Sequence, residues 1–502
     1  MLARVSGAAG APLRLPADPS PAEPDRTSEP GERERLRHAS SSPTVRAAAI
    51  AAVSARPLSD PLSFAGLAAC IEEAQAAALV PAGGPPDPAT FASLRARVAA
   101  ASARLPAAYG SAVGEPLLRV LDELGPRGFA RLLAEDPDRE GAAGLLLDAA
   151  QAVLQHGEGY QRRATAAFQE VVSDLYDGFL SAEDRRGVDP PDHGVAAPLV
   201  RWGSAEAGPY TWPASVTAEL GLGAALVSLP AANASAGLLA WPALAHETAG
   251  HDVLAADEGL QDELAGAVRG RLLDAGMGRE IADYWADRID ETASDVLGVL
   301  NMGLAAAVGL LGYFRALNGA WSGTPSLRSV GPSEDPHPAD LARAYLAAEA
   351  VRLLAFEGAS RWADALVAEA DRDLARIRLG DVGVTAAVAK ESAALVARTI
   401  VRTPVAALEG RALGDIQDWR DADEAIVAAL RQELRGREPR AGTFVAGAYA
   451  AHAVAAGVYE AVGGAATPAQ AMRGMIDLLA EMHGRNERWR KPIARAAPAA
   501  AG

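Results

Sequence analysis

Histidine is scarce in this chain, 8 in 502 residues, yet two of them stand five apart in His246-Glu247-Thr248-Ala249-Gly250-His251. Pro242 lies four residues upstream and apolar residues fill the approach, so the stretch reads as a helix with proline in its first turn. Two imidazoles bracketing a carboxylate on one helix describe a divalent-metal site with a general base beside it, one residue longer than HExxH. The extra residue is a geometric constraint. At about 100° per residue, positions i and i+4 lie about 40° apart, whereas i and i+5 lie about 140° apart. Both rings reach one ion only if the helix widens locally, as a π-type turn does. Gly250 is read as the residue that tolerates this distortion.

A zinc site of this kind takes a third protein ligand and leaves its fourth position to water. Downstream, Asp287, Glu291 and Asp295 recur at i, i+4 and i+8 and on one continuous helix would share a face. Glu291 is the expected third ligand. Asp295 is expected to accept a hydrogen bond from the outer nitrogen of a ligand histidine and so fix its orientation.

An HExx(x)H helix followed some tens of residues later by a helix carrying ExxxD resembles the gluzincin group of zinc metallopeptidases. The HExxGH form is similar to the dipeptidyl-peptidase III family, while the segment Glu291-Thr-Ala-Ser-Asp295 resembles thermolysin-type enzymes. The match spans roughly residues 220–345 and is one of motifs. It implies His246, His251 and Glu291 as ligands of Zn2+ and Glu247 as the base that activates water. It further implies an edge strand ahead of the metal helix, and a downstream His or Tyr that stabilises an oxyanion. His337, held between Pro336 and Pro338 at a helix start, and Tyr345 are the candidates.

Composition narrows the fold. Hydrophobic residues make up 50% of the chain, mostly alanine, and aromatics only 5%, which favours close-packed helices over a sandwich or barrel. A mainly α, multi-helix protein is expected, with one small β element at about 223–230 beside the metal helix. A net charge of -17 argues against a nucleic-acid partner. Cys70 is the single cysteine, so neither an intrachain disulfide nor a thiolate zinc cluster can form; set in Leu67-Ala-Ala-Cys-Ile71, it reads as a buried structural thiol.

Residues 1–45 are rich in Pro, Ser, Glu and Arg and read as a disordered leader, and 490–502 as a similar tail. The leader lacks the apolar run of a secretory signal, so a cytoplasmic protein is expected. Between them the expected organisation is a helical region over 46–183, a metal-binding core over 184–345 and a second helical region over 346–489. Apolar periodicity predicts helices over 62–80, 89–105, 139–155 and 160–182, and later over 340–356, 359–377, 384–411, 415–435, 443–461 and 468–485. Gly125-Pro126 is read as a break. Segment 184–222 reads as a Gly/Pro-rich loop concentrating Trp202, Tyr210 and Trp212, with His193 a candidate to approach the site. Asp257 is expected to cap a helix over 258–274, and one helix is expected to start near Arg279, carry the 287/291/295 face and run buried to Phe314 rather than span a membrane. His156 and His483 read as residues of helix ends, and His452 as a satisfied core histidine.

The expected chemistry is hydrolysis of a peptide or small amide by metal-activated water, with Glu247 moving the proton. Two histidines and a carboxylate also describe a non-haem iron oxygenase, and a metal-stabilised helical scaffold without catalysis is the third alternative.

Overall fold

The computed structural model describes residues 63–81, 84, 90–178, 185–194, 196–436 and 447–486. The leader read at 1–45 and the tail at 490–502 lie outside the described residues. The fold is mainly α with two three-stranded sheets. The longer helices that come first are α1 (Leu67–Ala78), α2 (Phe91–Ser102), α3 (Glu115–Glu135), α4 (Ala142–Glu158) and α5 (Arg162–Asp177). Thr90 starts α2 by accepting the Ser93 amide at 3.2 Å, satisfying a donor that the first turn leaves over. Gly125 and Pro126 interrupt the Glu115–Glu135 run as expected: Gly125, at φ +57° and ψ -178°, is not helical, so α3 is two helical stretches meeting at a kink.

Two cores result. One is local: the inner faces of α2, α3 and α4 close on residues 196–226 through Leu94, Leu117, Leu146 and Leu226. The other runs from Leu67 to Met482 and is centred on large rings, with Phe168, Trp202 and Trp241 meeting at centroid distances of 4.9–6.5 Å. Trp202, Trp241 and Trp285 are all fully buried there.

The segment read as a loop supplies two strands, β1 (Leu199–Gly203) and β2 (Tyr210–Trp212), which flank β3 (Leu226–Pro230). β1 pairs with β3 in parallel and β2 pairs with it antiparallel, Thr211 standing opposite Val227. The strand expected at 223–230 is therefore present but central, not an edge: neighbours on both sides use its backbone groups. All five of its residues are buried. The edge that borders the metal helix is β2.

After the metal helix come α6 (Leu260–Asp274), α7 (Arg279–Ala286), α8 (Ile289–Met302) and α9 (Leu304–Ser322). Asp257 does not cap α6; Gly259 precedes it, and the Asp257 carboxylate accepts from buried Arg185 at 2.7 Å. The continuous helix expected from Arg279 to Phe314 is broken twice. At Asp287 and Arg288 the chain leaves the helix, so Asp287 drops off the Glu291 face and pairs with Arg269 at 2.9 Å near the surface. At Gly303 the backbone turns to φ +59°, with Trp419 so close that an added Cβ would stand 2.6 Å from its Nε1. Only glycine meets both conditions.

The remainder follows the alanine-rich pattern: β4 (Val330–Gly331), α10 (Asp340–Leu353), α11 (Ala359–Ala370), β5 (Ile377–Leu379), β6 (Val382–Val384), α12 (Ala386–Arg402), α13 (Asp421–Leu434), α14 (Ala450–Val462) and α15 (Pro468–Arg485). Thr385 and Thr467 cap α12 and α15. α12 stops at Arg402, short of the expected 411, because Pro404 follows. No helix of the described residues is long and apolar enough to cross a membrane.

Candidate metal centre

The HETAGH run lies in a π-helix, Ala245–Asp252, which packs along α8. The widened turn resolves the i, i+5 problem: the His246 and His251 rings meet edge to face, 4.6 Å between centroids. Gly250 serves this arrangement differently from the sequence reading. Its backbone stays right-handed, and a Cβ there would stand 2.5 Å from Ser294 Cβ and 2.6 Å from Ser294 Cα. The glycine is required because α8 approaches so closely. That approach brings Glu291 between the rings.

His246, His251 and Glu291 place ligand atoms within 4.8 Å of one another. His246 Nε2 stands 3.5 Å from Glu291 Oε2 and His251 Nε2 3.6 Å from Oε1. A third imidazole joins at the carboxylate, His337 Nε2 at 3.4 Å from Oε1. These gaps are long for charge-assisted hydrogen bonds, which run about 2.7–2.9 Å. They match the separation of roughly 3.4 Å between ligands that sit about 2.1 Å from one tetrahedral ion. Glu291 is 3% exposed, and its Oε2 makes no hydrogen bond although Arg343 stands 3.2 Å away as an ion pair, so a buried carboxylate oxygen is left for a divalent cation that the donor set could hold.

Each ring is held from behind by a carboxylate. His246 Nδ1 is 2.9 Å from Asp295 Oδ1, His251 Nδ1 is 3.0 Å from Asp290 Oδ1, and His337 Nδ1 is 3.0 Å from Asp335 Oδ1. Such contacts fix which ring nitrogen faces the centre. The Asp335 loop is itself tied down: Arg328 donates to Asp335 at 2.7 Å, and Arg288 donates to the carbonyls of Pro332, Ser333 and Asp335 at 2.8–3.0 Å. Arg343, 4% exposed, donates through both arms to Asp295 at 2.7 and 2.8 Å, stands 3.2 Å from Glu291 Oε2, and lies over the Phe314 ring.

The charges answer one another. Burial opposes ionisation of Glu291, but His337, Arg343, His251 and His246 outweigh it and hold the carboxyl well below the usual range. Burial likewise pulls His251 down, yet Asp290, Glu291 and Glu247 raise it to about 10. Burial, with Glu247 nearby, pushes the Tyr313 phenol above its ordinary value.

These groups line a cavity of about 130 Å³. Glu247 is 5% exposed on its wall, and the Thr211 hydroxyl of β2 donates to Glu247 Oε2 at 2.8 Å. Of the residues the sequence singled out, His246, Glu247, His251, Glu291, Asp295 and His337 all border this cavity. Tyr345 does not. Two positions beyond Arg343, it lies about 200° round α10, where its hydroxyl donates to Asp371 at 2.7 Å under Lys390. The cavity's tyrosines are Tyr210 and Tyr313 instead. His193 sits beside Glu258, 3.7 Å away, and is not part of the lining. Sequence reasoning missed Asp290, Asp335, Arg343, Tyr313 and Thr211. Asp335, two residues before a proline-bracketed histidine, carried a local signal; the others come from elements whose pairing only the fold sets.

Comparison with protein-family models, with curated proteins and with solved structures finds no match to this chain.

Proposed function

We propose that the chain is a zinc-dependent hydrolase, cleaving a peptide or amide bond, with His246, His251 and Glu291 as the metal ligands. The observation that carries this reading is the convergence of those three ligand atoms within 4.8 Å beside a buried glutamate on the same cavity. A zinc ion there would supply Lewis acidity and lower the pKa of a water molecule toward neutrality. Because the Thr211 hydroxyl occupies Glu247 Oε2, Oε1 is the atom free to take a proton from water and return it to the leaving amine. His337, its Nδ1 turned to Asp335, presents Nε2 toward the centre, where it would donate to a developing oxyanion. The apolar walls exclude bulk water and strengthen these interactions.

One observation favours a second reading. A third imidazole at Glu291 gives three histidines and one carboxylate, a donor set that also suits non-haem iron. Metal analysis of protein purified without chelator separates the two: stoichiometric zinc supports the hydrolase, stoichiometric iron the oxygenase, and neither metal overturns both. Glu247→Gln is expected to keep its zinc and lose hydrolysis by a factor on the order of 10²–10⁴. Retained turnover in that variant would sink the role of Glu247 as base.

A further inference from the structure

Polar groups crowd one end of the cavity, whereas a helix forms its long wall. Ala306, Gly309, Leu310, Tyr313, Phe314 and Leu317 of α9 all face it, spaced three and four apart so that they share one helical side. That side extends roughly 16 Å at 1.5 Å per residue. Gly309 lets the stripe come against Pro242, in the turn just ahead of the metal helix, where an added Cβ would stand 2.5 Å from the proline ring. Tyr313 and Phe314 stand beside the candidate metal centre, Tyr313 close to Glu247 and Phe314 under Arg343, and from them the stripe runs back toward Ala306.

A helix spends its amide and carbonyl groups on itself, so this wall offers side-chain contact alone, and backbone pairing is left to the β2 edge, whose Tyr210 and Thr211 also line the cavity. Tyr313 carries its only polar side chain, and no charged residue interrupts the stripe. Leu310 and Phe314 remain only partly buried, apolar surface left facing the cavity. Pockets of this kind fix orientation with a few polar groups at one end and gain affinity from apolar contact along the rest.

We propose that the substrate is a carbonyl compound with an elongated, uncharged hydrocarbon body, which lies along the α9 stripe while its carbonyl reaches the centre. This rests on the metal-centre reading and adds the substrate class to it. The test uses zinc-loaded full-length protein and a series of alkyl hydroxamic acids, from acetohydroxamic through hexanohydroxamic to octanohydroxamic acid, with affinities from calorimetry. The chelating head reads the metal centre, and the tail reads the stripe. Each added methylene is expected to tighten binding by roughly threefold to fourfold. A chain of equal length ending in a carboxylate should bind more weakly than the alkyl compound. Leu310→Ser, a change at a partly exposed position, should flatten the dependence on tail length, and Leu310→Met should restore it. Equal affinity across the series, with acetohydroxamate bound, would overturn the proposed substrate class and leave the metal centre standing. Failure of every member to bind zinc-loaded protein would remove the metal centre and the proposal together.

Discussion

Two buried polar clusters in this molecule each hold a histidine against an aspartate, and they have opposite characters. In the C-terminal helices, His452 accepts the Tyr449 amide at Nδ1 and meets Asp423 at 2.9 Å through Nε2. Beside it Glu424 accepts from Trp419 and Tyr459, and Glu460 accepts from Arg431 and Arg435. Every imidazole nitrogen there has a partner within hydrogen-bonding distance, and the cluster is closed. At the metal centre three rings also have their outer nitrogens backed by carboxylates, but their inner nitrogens stop 3.4–3.6 Å short of Glu291, with a cavity alongside. A closed network contributes stability; an open one holds geometry ready for something else.

That contrast can be broken most directly at Glu291. Glu291→Ala is expected to lower zinc affinity by well over 100-fold, read by competition with a chromophoric chelator. Unchanged uptake would show that the centre is not what binds the ion. Glu460→Ala should do the reverse, costing about 3–5 kcal/mol of stability in urea unfolding by removing the buried carboxylate to which Arg431 and Arg435 both donate, while zinc stoichiometry stays intact. If the two variants gave the same pattern, the distinction between open and closed clusters would be lost.

Smaller effects sharpen the comparison. Gly250→Ala drives a methyl group into Ser294, so a loss of roughly 1–3 kcal/mol is expected in the same assay, together with weaker metal binding because α8 must shift. Asp290→Asn should weaken zinc binding by about 10–100-fold with little change in unfolding, since it removes the charge facing His251 while its amide oxygen can still accept from Gln261. A variant that lost stability without losing metal would instead mark Asp290 as part of the scaffold.

How much of this was legible beforehand depended on distance along the chain. The i, i+5 spacing and the widened turn it demands are local matters of helical angle, and they can be worked out from the residues alone; the choice of Glu291 and Asp295 rests on their shared helical face and on a resemblance of motifs, and only the packing of α8 brings them to the two rings. The mainly α fold followed from alanine content and periodicity. What could not be read was where helices stop. Asp287 left the expected face because the chain breaks at Arg288, and Asp290, one residue before the ligand, took up the histidine contact instead. Tyr345 was placed by proximity in sequence to His337, but which side of α10 faces the cavity is decided by packing against α8, and Arg343 holds that side. β3 was recognised as a strand, yet its central position required β1 and β2 to emerge from a stretch whose glycines and prolines suggested a loop.

Gly303 links the two clusters in a way neither reveals by itself. The angle between the helix bearing Glu291 and the helix bearing the apolar stripe is set at that residue, and the indole of Trp419 is wedged against it. The same indole donates to Glu424 at 2.7 Å. The width of the cavity is thus gauged by a side chain more than a hundred positions away, anchored in the closed network, so that the C-terminal helices act as the jig in which the candidate metal centre is held.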